Sequence, residues 1–121
     1  MTPPIPERSA VQLRFPSAQL PRVCLGTWPS TIRQLSDQLF CLDEGDCSPV
    51  YGGNKVRKLE HILGSAPEAT DVITMGAAGS HHVLATAIHS AACGKRTHAL
   101  LIPQPDTHHV RATLRRSDGH Q

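Results

Sequence analysis

The chain has 121 residues, 39% apolar and 18% charged, with a formal net charge of +2. This composition suits one modest aliphatic core, or one part of a larger protein, and argues against a disordered chain. So small a charge gives no electrostatic footprint for nucleic acid, and no apolar run reaches the length of a membrane span.

Residues 1 to 21 hold Pro3, Pro4, Pro6, Pro16 and Pro21, a spacing that forbids a long helix and predicts an extended arm. The start of the chain, Met1 to Pro6, has no apolar signal core. Trp28-Pro29-Ser30 reads as a turn into a short helix over Thr31 to Gln38, with Ile32, Leu35 and Leu39 on one side. Leu39-Phe40-Cys41-Leu42 reads as a short strand, and Asp43-Glu44-Gly45-Asp46 as an acidic turn.

Then comes Val50-Tyr51-Gly52-Gly53-Asn54-Lys55-Val56-Arg57-Lys58-Leu59-Glu60. Gly52 and Gly53 supply backbone freedom, and Asn54 is a good residue to cap a helix that begins at Lys55. Val56, Leu59, Ile62 and Leu63 follow at helical spacing, so one face can be buried. Lys55, Arg57 and Lys58 crowd the positive end of the helix dipole, where cations are disfavoured. Such a setting favours the neutral amine that Schiff-base chemistry requires. On spacing alone, a solvated basic helix end is the preferred reading of these residues.

Asp71 to Gly76 is a β-branched run ending in glycine, a buried strand. Ala77-Ala78-Gly79 forms a small-residue loop, and Ser80 opens a helix whose Val83, Leu84, Ala87, Ile88, Ala91 and Ala92 share a face. Gly94 ends that helix, and Thr97 to Ile102 is the next strand, stopped by Pro103. Strand, helix, strand with short connections is a βαβ unit with a parallel sheet and a right-handed crossover. Asp106 or Thr107 caps a last helix, with Val110 and Leu114 aligned and Arg111 and Arg115 outside. Two parallel strands leave much of a sheet uncovered, so the expected fold is α/β but incomplete.

Gly76 to His82 stands at a strand's C-terminal end and a helix's N-terminus, where α/β sheets bind ligands. Ser80 also has an ordinary reading as a helix cap, and His81 and His82 as exposed imidazoles of a first turn. His81 and His82 are adjacent and do not face each other, and His89 lies a heptad beyond His82. No metal site is expected from them. His89 reads as structural or surface, and His108 and His109 as a polar helix start. Cys24, Cys41, Cys47 and Cys93 form no C-x-x-C pair and no secreted framework. They read as reduced thiols in a cytoplasmic protein.

Together these two stretches resemble the pyridoxal-phosphate enzymes related to 1-aminocyclopropane-1-carboxylate deaminase and D-cysteine desulfhydrase, of the tryptophan-synthase-β-like fold (fold type II). The family's G-G-N-K-x-R-K-L-E stretch is matched in full by Gly52 to Glu60. Its G-[GA]-x-Q-S-N-[QH] stretch is matched at Gly76, Ala77, Ser80 and His82, with Gly79 in place of glutamine and His81 in place of asparagine. The resemblance runs in order from about Leu39 to Leu114.

The resemblance implies that Lys55 holds pyridoxal 5'-phosphate in a Schiff base and moves the substrate's α-proton. It implies that Ser80 stands near the reacting substrate and that Asn54 helps hold the cofactor or its lysine turn. His81 falls where the family's asparagine contacts both cofactor and substrate carboxylate. Imidazole lacks the amide's paired donor and acceptor, which bears on substrate choice. His82 matches the desulfhydrase variant of the motif and joins Ser80 and His81 as a substrate-binding residue.

By the same resemblance, residues 1–38 are an N-terminal arm and short helix. Residues 39–121 are the start of the cofactor-binding α/β region, truncated before the phosphate-binding loop. Family members continue for roughly two further domains of ordinary size. The leading expectation is the N-terminal part of a lyase or deaminase that releases ammonia and a 2-oxo acid from a small amino acid. The alternatives are an inactive truncated fragment, one half of a split enzyme with a complementing chain or a homo-oligomer, and a histidine-based ligand-binding module. Neither nucleic acid nor membrane is an expected partner.

Overall fold

A computed structural model describes residues 14–18 and 20–119. The expected arm therefore lies mostly outside the described residues. The chain divides into two compact units at Ala66 and Pro67. Its elements are strands β1 (Thr31–Ser36) and β2 (Leu39–Asp43), helix α1 (Lys55–Gly64), strand β3 (Asp71–Ala77), helix α2 (His81–Ala92), strand β4 (Arg96–Ile102) and helix α3 (His108–Asp118).

In the first unit, Thr31 to Ser36 is a strand and not the helix expected over Thr31 to Gln38. β1 pairs antiparallel with β2 across a two-residue connection, matching Thr31 with Asp43, Ile32 with Leu42 and Gln34 with Phe40. The alignment of Ile32, Leu35 and Leu39 at helical spacing was too short a signal to decide the matter. An isolated helix of two turns is marginal in water, whereas the neighbouring strand supplies a complete ladder. Arg33 reinforces it by bridging Asp43 and Asp46. A register shift between Gln34 and Ser36 makes Leu35 the odd residue of the pairing. The peptide bond between Trp28 and Pro29 is cis.

Helix α1 buries Val56, Leu59, Glu60 and Leu63 on one face, while Lys58 and Ile62 face solvent. Among the described residues, Leu25 and Cys47 are the other buried apolar side chains of this unit, and Ser30 and Ser48 are buried as well. The helix packs closely against the preceding segment, since a Cβ on Gly64 would lie 2.7 Å from the Arg22 backbone.

The second unit is the expected βαβ arrangement followed by one more helix. β3 and β4 are parallel, with Asp71 opposite Arg96, Ile73 opposite His98 and Met75 opposite Leu100. Helix α2 packs against both strands and against α3. It is buried continuously from Val83 to Ser90, because sheet and helix cover it from different sides. Its small residues Ala85, Ala87 and Ser90 allow that close approach.

Both ends of α2 are built as the sequence predicts. Ser80 Oγ accepts a hydrogen bond from the Val83 N–H at the start. At the other end, Gly94 has φ of +71°. The Gly94 N–H bonds to the Ala91 carbonyl and the Lys95 N–H to the Ser90 carbonyl, so the last turn is closed by backbone donors. In α3 the cap is Thr107, whose hydroxyl accepts from the Val110 N–H, and Asp106 instead pairs with Arg111. Val110, Thr113 and Ser117 form its buried stripe, and Leu114 is half-buried.

The face of the sheet away from α2 carries Ile73, Met75, Leu100 and Ile102, all exposed. Asp71, Arg96 and His98 cluster at one end of that face. Asp71 Oδ1 contacts His98 Nε2 at 2.8 Å, and Asp71 Oδ2 accepts from Arg96 Nη2 at 2.9 Å. The Thr70 hydroxyl, His98 and Arg96 hold the Asp71 carboxyl well below the usual carboxylate range.

Candidate active site

The lysine turn is assembled entirely within the first unit. Gly53 has φ of +104°, a conformation that favours glycine. At Gly52 the constraint is space, since a Cβ there would come within 1.7 Å of the Gly45 carbonyl oxygen. The turn therefore lies directly on the acidic loop, and α1 starts at Lys55. Asn54 occupies the cap position, but its side chain makes no capping hydrogen bond. Its helical backbone (φ −63°, ψ −13°) differs from the extended geometry a side-chain cap needs, which corrects that expectation.

Lys55 is half-buried, and among the described residues no carboxylate lies within ion-pairing distance of its amine. The crowding of positive charge expected at the helix start is relieved by tertiary partners. Arg57 turns inward, its Nε donating to Glu44 Oε2 at 2.9 Å and its Nη2 to the Thr27 carbonyl and to Ser30 Oγ. The guanidinium also lies 4.0 Å from the centroid of the Trp28 ring.

Glu60 is fully buried one turn further on. It accepts from the Leu25 N–H and the Trp28 indole N–H, both at 3.2 Å. Arg22 lies 3.6 Å and Arg57 4.0 Å from its oxygens. A buried carboxylate is tolerated only with such partners. The sequence marks Arg57 and Glu60 as motif residues but gives no sign that Glu44, Ser30, Trp28 and Arg22 are what they reach.

The second stretch lies in the other unit. The Ala78 N–H bonds to the Ile102 carbonyl at 3.0 Å and the Ser80 N–H to the Ala77 carbonyl at 2.9 Å. The loop is thereby fastened to the C-terminal ends of β3 and β4. Ser80 is half-buried, His81 exposed and His82 half-buried. The His81 ring sits 5.1 Å, centroid to centroid, from His109 on α3. In the sequence His109 is only part of a polar helix start, and only the packing of α3 on α2 puts it there. His89 is fully buried. Among the described residues no group of three or more His, Cys, Asp or Glu side chains could hold a metal ion.

The residues present fit a pyridoxal-type cofactor at the lysine. The amine is held at a helix start and is not consumed by an ion pair among the described residues. No described helix is long and apolar enough to cross a membrane. A small parallel sheet with a loop-and-helix start at its strand ends, and in the other unit a lysine after a double-glycine turn, define an α/β chain.

Known proteins narrow the class further. Nocardicin C-9' epimerase of Nocardia uniformis subsp. tsuyamanensis is 41% identical over 106 residues, which are 83% of this chain and 32% of that protein. A protein of Oryza sativa subsp. japonica that carries the name D-cysteine desulfhydrase 2, mitochondrial, is 48% identical over 61 residues, 48% of this chain and 15% of that one. The crystal structure of a homologue of 1-aminocyclopropane-1-carboxylate deaminase matches with a TM-score of 0.63 and 32% identity, covering 69% of this chain and 28% of that one. No protein-family model matches. Over part of their length, the chain is similar to proteins of the 1-aminocyclopropane-1-carboxylate deaminase and D-cysteine desulfhydrase family. It spans about a third or less of the length of the curated relatives it matches.

Proposed function

We propose that this chain carries the cofactor lysine and the substrate-facing helix start of an enzyme acting at the α-carbon of a small amino acid. The observation that supports this most directly is Lys55. It opens α1 from a glycine turn with no acid partner among the described residues, within a complete family motif. In this reading residues 39–121 hold both functional stretches, and residues 1–38 precede them.

When bound, pyridoxal phosphate supplies the electron sink that makes an α-proton removable. The protein's own part is positional. Lys55 Nζ would hold the cofactor and would take and return the proton at the substrate's α-carbon. Asn54 steadies the turn beside it. The N-terminus of α2 offers Ser80, His81 and His82 to the substrate, with helix N–H groups that favour a carboxylate. His81 brings a single imidazole donor where the family's asparagine brings an amide.

Removal of the α-proton is the step that elimination from D-cysteine and epimerisation share. The cyclopropane amino acid has no proton on its α-carbon, so its opening would have to start at a ring carbon. We favour elimination of hydrogen sulfide from D-cysteine, or opening of the cyclopropane amino acid, each ending in ammonia and a 2-oxo acid. His82 inclines the choice toward the desulfhydrase reaction. Epimerisation is the second reading, favoured by the 106-residue match to an epimerase. It needs the α-proton removed from one face and a proton delivered to the other by a second group, with no leaving group expelled. Turnover is expected where a complementing chain or a longer form supplies the phosphate-binding loop, in the cytoplasm.

The test is a titration of the purified chain with pyridoxal phosphate, followed by borohydride reduction and peptide mapping. A saturable adduct confined to Lys55 and absent from Lys55→Ala is the expected result. Labelling that is unchanged in Lys55→Ala would sink the assignment.

A further inference from the structure

Glu44 stands outside both family stretches, yet it touches the lysine turn at both ends. Its backbone carbonyl accepts from the Gly53 N–H at 2.6 Å. Its carboxylate accepts from Arg57 Nε at 2.9 Å. Gly53 and Arg57 lie two residues before and two residues after Lys55. The same loop meets the turn twice more, through the close approach of Gly45 to Gly52 and the 3.8 Å contact of Cys47 Sγ with the Gly53 carbonyl.

We propose that Glu44 is a positioning residue for Lys55, a clasp whose carbonyl and carboxylate fix the direction in which the amine leaves the helix. The proposal rests on the reading of Lys55 as the cofactor lysine. Helix starts fray, and a side chain on the first turn swings with the backbone that carries it. Reaction geometry tolerates little of that motion, so a lysine serving as both anchor and base gains from flanks tied to one rigid loop.

The carboxylate half is the adjustable one. Arg57 cannot turn outward without giving up a charge-assisted bond to Glu44, two further hydrogen bonds and its stacking on Trp28. Burial works to raise the Glu44 carboxyl, but the Ser30 hydroxyl and Arg57 outweigh it and hold the group below its ordinary range. The carbonyl half survives any side-chain substitution, so the two halves separate by experiment.

The full chain is labelled with pyridoxal phosphate as wild type, Glu44→Ala and Glu44→Gln. It is reduced with borohydride, and the adduct is mapped to Lys55 and Lys58. Lys58 is exposed on the same helix and serves as internal reference. Glu44→Ala is expected to lower the Lys55-to-Lys58 ratio about tenfold, the scale of one charge-assisted hydrogen bond. Glu44→Gln, which keeps an acceptor oxygen of the same size, recovers part of it.

A core variant, Leu63→Ala, lowers the stability of α1 without touching Glu44 and is expected to keep the wild-type ratio. A ratio unchanged in Glu44→Ala, or lowered as far in Leu63→Ala, overturns the clasp and leaves Lys55 as the cofactor lysine. A wild-type chain that labels Lys55 no better than Lys58 overturns the reading of Lys55 itself, and the clasp with it.

Discussion

At the scale of single residues, the chemistry-bearing side chains were visible in the sequence and their partners were not. Lys55 and Ser80 stand at the helix starts the sequence assigns them, because glycine turns and caps are local signals. In the sequence Arg57 is one of a crowd of cations at a helix start. It is largely buried, and its partners Glu44, Thr27 and Ser30 lie 13 to 30 residues away. The Glu44 interaction carries a pH signature. Its folded-state carboxyl sits below the unfolded value of about 4.3. Its stabilising contribution is therefore complete above that value and is lost as the pH falls through the folded one. Urea midpoints of wild type and Glu44→Gln are expected to differ by a constant amount above about pH 6 and to converge in acid. A gap that stays constant down to pH 3 would show that charge at Glu44 contributes nothing.

At the scale of elements, the second unit follows its local signals closely and the first does not. Cap, terminal glycine and the Val83, Leu84, Ala87 and Ile88 part of the apolar face agree in α2, whereas Ala91 and Ala92, expected on that face, are exposed. β1 is the contrary case. Thr31 to Ser36 has no strong local preference, and pairing with β2 decided its form. The energetic centre of the second unit is α2, where Leu84 is 1% exposed between sheet and helix. Leu84→Ala is expected to cost about 2–5 kcal/mol, through lost apolar burial and an unfilled cavity. Denaturant unfolding measures this directly, and a loss below about 1 kcal/mol would mean that the core is looser than its packing implies.

At the scale of the whole molecule, the sheet is the revealing feature. Ile73 is 82% exposed and Leu100 63% exposed, on a face that would be covered in a complete parallel sheet. The chain is expected to bind an apolar fluorescent dye and to self-associate. Ile73→Thr with Leu100→Thr should reduce both effects, while the stability of the second unit shifts by about 0.5 kcal/mol or less. Light scattering and dye titration decide this. Dye binding undiminished in the double variant would place the reactive surface elsewhere, for instance on the exposed Ile32, Phe40 and Leu42 of the β1–β2 hairpin. The sequence by itself determined the family resemblance, the βαβ order, the Ser80 cap of α2 and the lysine that opens α1, because each is written in adjacent residues or in short periods. Only tertiary structure decided that Thr31 to Ser36 is a strand, that Arg57 and Glu60 point inward, that His109 meets His81, and that Glu44 flanks the lysine on both sides. Those outcomes depend on pairing and burial between distant segments, which no local pattern encodes.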